Sequence, residues 1–227
     1  MAGRKVIFAN DEYYHIFNRG IARQPVFFSK RDYERLLLTF SYYRFIEPPV
    51  KLSRFLTLPK DMQRQILKGL DMHPKTYVDI ICFVLMPNHF HLLLKQTSES
   101  GITKFMSKSI NSFTRYINTK QERVGDLFQG VFKAVRIETN EQLLHVSRYI
   151  HINPVVSHVV KDKDLLGYQW SSLPNYIYET SSFVNKSVIL DQFSRKASYK
   201  DFILDHVDYG KKLEEIKLGD EVLIRTK

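Results

Sequence analysis

The chain has 227 residues, enough for one substantial core with a short appendage and tight for two full domains. Hydrophobic residues make up 44%, with 16 Phe and 13 Tyr, which excludes a disordered chain, and nine Gly with no short-period repeat exclude a fibre or solenoid. The 34 Lys and Arg against 24 Asp and Glu leave a net +10, which points to a polyanionic partner.

Met1 to Val6 reach charged residues too soon for a signal-peptide core, and no run of 18 apolar residues occurs, so a cytoplasmic protein without a membrane span is expected. Tyr13 to Asn18 reads as a strand, ended by Arg19-Gly20 with a residue that tolerates positive φ. A helix follows, with Ser29 as N-cap, Asp32 three residues on, and Tyr33, Leu36, Leu37 and Phe40 at helical spacing. Residues 47–75 hold Pro48, Pro49, Pro59 and Pro74 around an amphipathic piece near Met62 to Leu70, and read as an insertion.

Thr76 to Met86 is almost wholly apolar, as a central strand covered on both faces would be, and contains the single cysteine, Cys82, as a small core residue. Pro87-Asn88 makes a tight turn, and His89 to Lys95 returns as an antiparallel strand. Residues 102–119 have helical spacing, Gly125 to Gly130 is a loop, and Val131 to Ile137 is a strand. A last core helix begins at Thr139 or Asn140 and stops at Asn153-Pro154. The expected fold is α+β: a ferredoxin-like split βαβ core with an antiparallel sheet and helices on one face, plus a C-terminal helical appendage.

Half of the positive surplus lies in residues 101–136, where seven cations face only Glu122 and Asp126. Such a stretch fits nucleic acid or a merely solvated face. The interleaved Phe105, Phe113, Tyr116, Phe128 and Phe132 suit base stacking or, at helical spacing, the core.

The sharpest motif is Met86-Pro87-Asn88-His89-Phe90-His91-Leu92-Leu93-Leu94. On a strand, His89 and His91 share a face about 7 Å apart and can bind one divalent ion, although a His-x-His pair alone is weak evidence, since such pairs commonly have surface or packing roles. Tyr149 and Asn153, at i and i+4, share a helix face, so the amide can be a third ligand and the phenol a nucleophile one turn away. The plainer alternative is a helix stop at Asn-Pro and a half-buried tyrosine. His145 lies on Tyr149's face and His151 points elsewhere. Tyr116 competes for the nucleophile role, but Asn118 at i+2 is on another face.

Together, Met86 to Leu94, Tyr149-Ile150-His151-Ile152-Asn153-Pro154-Val155, Asn18-Arg19-Gly20, Phe128-Gln129-Gly130-Val131-Phe132 and Trp170-Ser171-Ser172 resemble the single-tyrosine HUH transposases, above all the REP-associated branch. Val131 departs from the Arg often found at its place. The resemblance implies a transposase-like domain over residues 1–180, with the insertion at 47–75, and a C-terminal appendage at 181–227. It implies that His89, His91 and Asn153 hold magnesium or manganese and that Tyr149 forms a 5′-phosphotyrosine with single-stranded or hairpin DNA. Arg19, Lys104, Lys108, Arg115, Lys120, Arg123, Lys133 and Arg136 are the expected DNA contacts, and the protein would associate with the nucleoid when bound. A homodimer is compatible with the resemblance, and a non-catalytic DNA- or RNA-binding regulator is the alternative.

Overall fold

The structure, a computed structural model, describes residues 6–72, 74–178, 180, 182–194, 196–205 and 207. The start of the chain read for targeting lies, except for Val6, outside the described residues, as does the tail beyond 207.

Four strands, β1 (Tyr13–Arg19), β2 (Val78–Met86), β3 (His89–Gln96) and β4 (Lys133–Ile137), form one antiparallel sheet in the order β2-β3-β1-β4. This is the order expected of a split βαβ core. The crossover helices α1 (Lys30–Tyr43) and α4 (Gly101–Lys120) pack together on one face of the sheet. There Phe40, Phe90, Phe105 and Phe113 are fully buried, each contributing about 2–3 kcal/mol of transfer free energy. The second face is covered as well: α5 (Asn140–Val156) lies against β2 and β3. Both pleat faces of β2 and β3 are apolar along most of their length, so helices on one face alone would leave half of that surface wet.

The run 78–86 is therefore covered on both faces, yet β2 is an edge strand and not a central one. Its outer edge is closed by later chain: Leu85 N–H donates to the Trp170 carbonyl at 2.8 Å, Ser172 N–H to the Phe83 carbonyl at 3.0 Å and Asn185 N–H to the Ile80 carbonyl at 2.8 Å. An edge paired in this way cannot template another strand. Short helices α6 (Leu173–Ile177), α7 (Ser187–Leu190) and α8 (Lys196–Leu204) follow, and Tyr176, Val184, Ile189, Tyr199 and Ile203 join the main core.

Residues 47–75 form α2 (Leu52–Phe55) and α3 (Lys60–Met72) around a separate small cluster of Tyr42, Leu52 and Phe55. Gly20 does not take positive φ, since it sits at φ −59°, and Ala22 and Arg23 carry the left-handed turn at 51° and 60°. Glycine is required there for space, because a Cβ would lie 2.2 Å from the Gln24 carbonyl oxygen.

The helix α5 begins as expected, with the Thr139 hydroxyl accepting from Gln142 N–H at 3.1 Å, but it does not stop at Asn153-Pro154. Pro154 lies in the last turn, where its missing N–H costs one helical bond; the helix ends at Val156, and His158, just past the Ser157 cap, takes the left-handed region (φ 55°). Asn153 is thus held inside a regular helix, one turn beyond Tyr149.

Candidate active site

Antiparallel pairing sets Phe17 opposite His91 and Arg19 opposite His89, so alternation brings His15, Phe17, Arg19, His89 and His91 to the face that α5 covers. Tyr149 projects from α5 onto this face. Its ring stands edge-on to His91, with centroids 5.5 Å apart, and to His15 at 5.8 Å. The rings of His89 and His91 are 5.2 Å apart and nearly perpendicular. With Arg19, Lys133 and Asn153 these histidines and Tyr149 line a cavity of about 260 Å³ within one chain.

The imidazoles are oriented by specific partners. His89 Nδ1 meets the Asn88 amide oxygen at 2.6 Å, and since that oxygen only accepts, Nδ1 carries the proton. His91 Nδ1 meets His15 Nε2 at 2.9 Å. His89 Nε2 is thereby left as an acceptor or ligand, and so is His91 Nε2 in the tautomer whose Nδ1–H donates to His15, the arrangement that typically orients metal-binding histidines. Burial pushes His15 and His89 down to about 4, aided at His89 by the Arg19 charge and opposed by a hydrogen bond with Asn153. His91 falls well below its ordinary value, by burial first and then by His15, His89 and Arg19. All three are neutral at physiological pH, the form that coordinates metal. Asn153 is buried and also accepts from the Ser157 hydroxyl at 3.2 Å. Two neutral imidazole nitrogens and an amide oxygen in one cavity fit a divalent ion. Among the described residues there is no group of three or more His, Cys, Asp or Glu that could hold a metal ion.

Tyr116 is on the other side of the sheet. Its hydroxyl donates to Asp32 at 2.9 Å, and burial, with that bond, raises it to about 12. Lys120, one of the expected DNA contacts, is bound to the buried Asp32 carboxylate at 2.6 Å and to Ser29 Oγ at 2.9 Å. Asp32 binds Phe28 N–H as well, so the cap of α1 is made by Asp32 and not by the Ser29 side chain. Arg136 pairs with Glu12 at 3.0 Å, and Arg123 donates to the Asp126 carbonyl at 2.9 Å. Lys104, Lys108 and Arg115 lie along exposed α4. A second cavity of about 530 Å³ between α4 and the 126–132 loop shares Asn18 with the histidine cavity. Val131, at the odd position of the loop motif, is exposed on its wall.

His145 is exposed, 3.9 Å from Glu141. His151 is buried away from the cavity, bonded to Tyr199 and Ser172, and burial lowers it to about 3. Cys82 is buried, and burial pushes its thiol up. His15 was the residue that sequence reasoning missed. Alternation along β1 already gave it Arg19's face, but only the β1–β3 register brings it to His91.

An antiparallel ferredoxin-like sheet, with a His-x-His strand inside it and a tyrosine helix across it, defines an α+β protein with a histidine–tyrosine cavity. Residues 54–153 match the family described as transposase, IS200 like, and the likeness read from the motifs is borne out. The matched span includes His89, His91, Tyr149 and Asn153, begins inside the 47–75 segment and leaves out β1. Among solved structures, a REP-associated tyrosine transposase bound to a REP hairpin is similar in fold, with a TM-score of 0.55 at 14% identity over 81% of this chain and 90% of that one. No curated protein matches. No described helix is long and apolar enough to cross a membrane.

Proposed function

We propose that the protein is a DNA strand transferase that cuts and rejoins a single strand next to a hairpin, with Tyr149 as nucleophile. The observation that carries this reading is the placement of Tyr149 edge-on to His91, with His89 and Asn153 lining the same cavity of one chain. The family match over residues 54–153 supports DNA processing of the transposase type, and the hairpin on the structural neighbour supports the substrate class.

In this reading the Tyr149 hydroxyl oxygen attacks phosphorus in line, the bond from phosphorus to the 3′-oxygen breaks, and the strand leaves with a free 3′-OH. The phenol proton goes to a local acceptor, since a phenol ionises near pH 10 in water, and the leaving 3′-oxygen takes up a proton from solvent. The phosphotyrosine ester keeps the bond energy, so a second 3′-OH reverses the step without ATP. His89, His91 and Asn153 would hold a divalent ion, magnesium or manganese, which would supply Lewis-acid polarisation of the phosphate. Arg19 and Lys133 at the cavity rim bind and orient the phosphate backbone. A homodimer is not needed to assemble this residue set.

The test is a denaturing-gel assay for a covalent adduct with labelled hairpin single strands in manganese or magnesium. The adduct is expected from the parent and from Tyr116→Phe, and is expected to vanish in Tyr149→Phe with DNA binding kept. Salt-sensitive hairpin binding without any adduct across a broad hairpin set would instead favour the non-catalytic binding protein.

A further inference from the structure

A histidine that the mechanism does not use, His151, lies in a buried chain of polar groups. Phe83 N–H on β2 donates to Ser172 Oγ at 2.8 Å, and Ser172 Oγ meets His151 Nε2 at 2.8 Å. His151 Nδ1 meets the Tyr199 hydroxyl at 2.7 Å, Tyr199 donates to Ser147 Oγ at 3.4 Å, and Ser147 donates to the Leu144 carbonyl at 2.8 Å. Ser147, His151, Ser172 and Tyr199 are all 0% exposed. Each hydroxyl can donate as well as accept, and the Ser172 hydroxyl also reaches the Phe83 carbonyl at 3.3 Å, so the chain is satisfied whichever ring nitrogen of His151 carries the proton.

Ser147 and His151 are one helical turn apart on α5, and so are Tyr149 and Asn153. At 3.6 residues per turn, two residues are about 200° of rotation, so the two pairs lie on opposite sides of the same helix. The anchor at the far end is β2, whose Val84 and Met86 pair with His91 and His89. The chain thus links the helix that carries the tyrosine to the sheet that carries the histidines. An apolar seam would tolerate rotation of α5, whereas a fully satisfied polar chain has one register.

We propose that His151, held by Ser172 and Tyr199, is a positioning residue that sets the rotation of α5 and so places Tyr149 and Asn153 over the His89–His91 face. This rests on the reading of Tyr149 as the nucleophile. A displacement of about 1 Å at a reacting group can cost on the order of 100-fold in rate, so a modest rotation has a measurable effect. Tyr199→Phe and Ser172→Ala each remove one hydroxyl without emptying the core.

The experiment places 3-fluorotyrosine at position 149 of the full chain and records its fluorine resonance in the parent, Tyr199→Phe, Ser172→Ala and the double variant. In parallel, the adduct rate at saturating hairpin DNA is measured per folded molecule, beside the hairpin Kd. The proposal expects the resonance to shift or split in both single variants and the adduct rate to fall about 10-fold. The hairpin Kd stays within about twofold of the parent, and the double variant is no worse than either single one, because the groups act as one chain. An unchanged resonance in the folded variants overturns the proposal, as does a moved resonance with an unchanged adduct rate. Should Ser172→Ala not fold, Tyr199→Phe, which keeps its ring in place, decides alone. Should the parent make no adduct on any DNA, the strand-transfer reading fails and the resonance alone decides whether the chain sets the pose of α5.

Discussion

His15 holds no place in the His-x-His motif, yet its Nε2 lies 2.9 Å from His91 Nδ1 and its ring abuts Tyr149. Losing an outer partner of a metal-binding histidine typically costs 10–100-fold in metal affinity, because the imidazole loses its orientation. His15→Ala is therefore expected to weaken manganese binding about 10–100-fold, read by isothermal titration, with little change in hairpin affinity. Unchanged manganese binding would remove His15 from the site. Tyr116 answers to a different test. Its hydroxyl serves a buried carboxylate, so Tyr116→Phe is expected to lower unfolding stability by about 1–2 kcal/mol in urea titrations while sparing the adduct. Loss of the adduct in a folded Tyr116→Phe protein would reopen the choice of nucleophile. Both assignments turn on register: helical spacing separates Tyr149 from Tyr116 only by what lies near each, and that neighbourhood is set by sheet pairing.

At the scale of elements, the contact of α1 with α4 is closed by Asp32, which accepts from Lys120, Phe28 N–H and Tyr116. Burial alone would raise its pKa, but these partners win and hold the carboxyl below its ordinary value. A carboxyl lowered on folding stabilises the native state above its unfolded pKa, near 3.9, and that contribution is lost as the pH falls through the lowered folded value. Asp32→Asn is thus expected to destabilise by about 1–3 kcal/mol at pH 7, with the gap to the parent closing as the pH drops below about 4. Urea unfolding at a series of pH values measures it, and a gap independent of pH would show that the charge is not what matters. The four strands, the crossover helices and the Thr139 cap were legible in the sequence, since each rests on local periodicity or a local hydrogen bond. The edge position of β2 was not, because an apolar run reports burial and not which neighbour provides it, and the cover comes from residues 168–185, far along the chain. The end of α5 differs for a related reason: Pro154 reads locally as a stop, but in a buried last turn its cost is one bond.

Across the whole molecule, the sheet separates two surfaces that DNA would have to join. The histidine cavity opens on the α5 side with Arg19 and Lys133, while Lys104, Lys108 and Arg115 run along α4 on the other. The link is the 126–132 loop, where Asn18 lines both the histidine cavity and the larger groove beside α4. Among the described residues Lys104, Lys108, Arg115 and Lys133 make no ion pair, whereas Lys120 and Arg136 are bound to Asp32 and Glu12. The cations left without an ion pair are therefore a subset of those counted in the sequence. A strand that follows the groove from the cavity to α4 would displace counterions at each contacted phosphate, and log K falls with log salt by about 0.7–0.9 per phosphate. Replacing Lys104, Lys108 and Arg115 together by Ala is expected to flatten that slope by about 2–3 for a hairpin strand, whereas Lys120→Ala is expected to lower the thermal midpoint and leave the slope alone. Fluorescence anisotropy over a salt series separates them. An unchanged slope in the triple variant, with a flatter one in Lys133→Ala, would confine the DNA to the histidine face and leave α4 as an ordinary solvated surface.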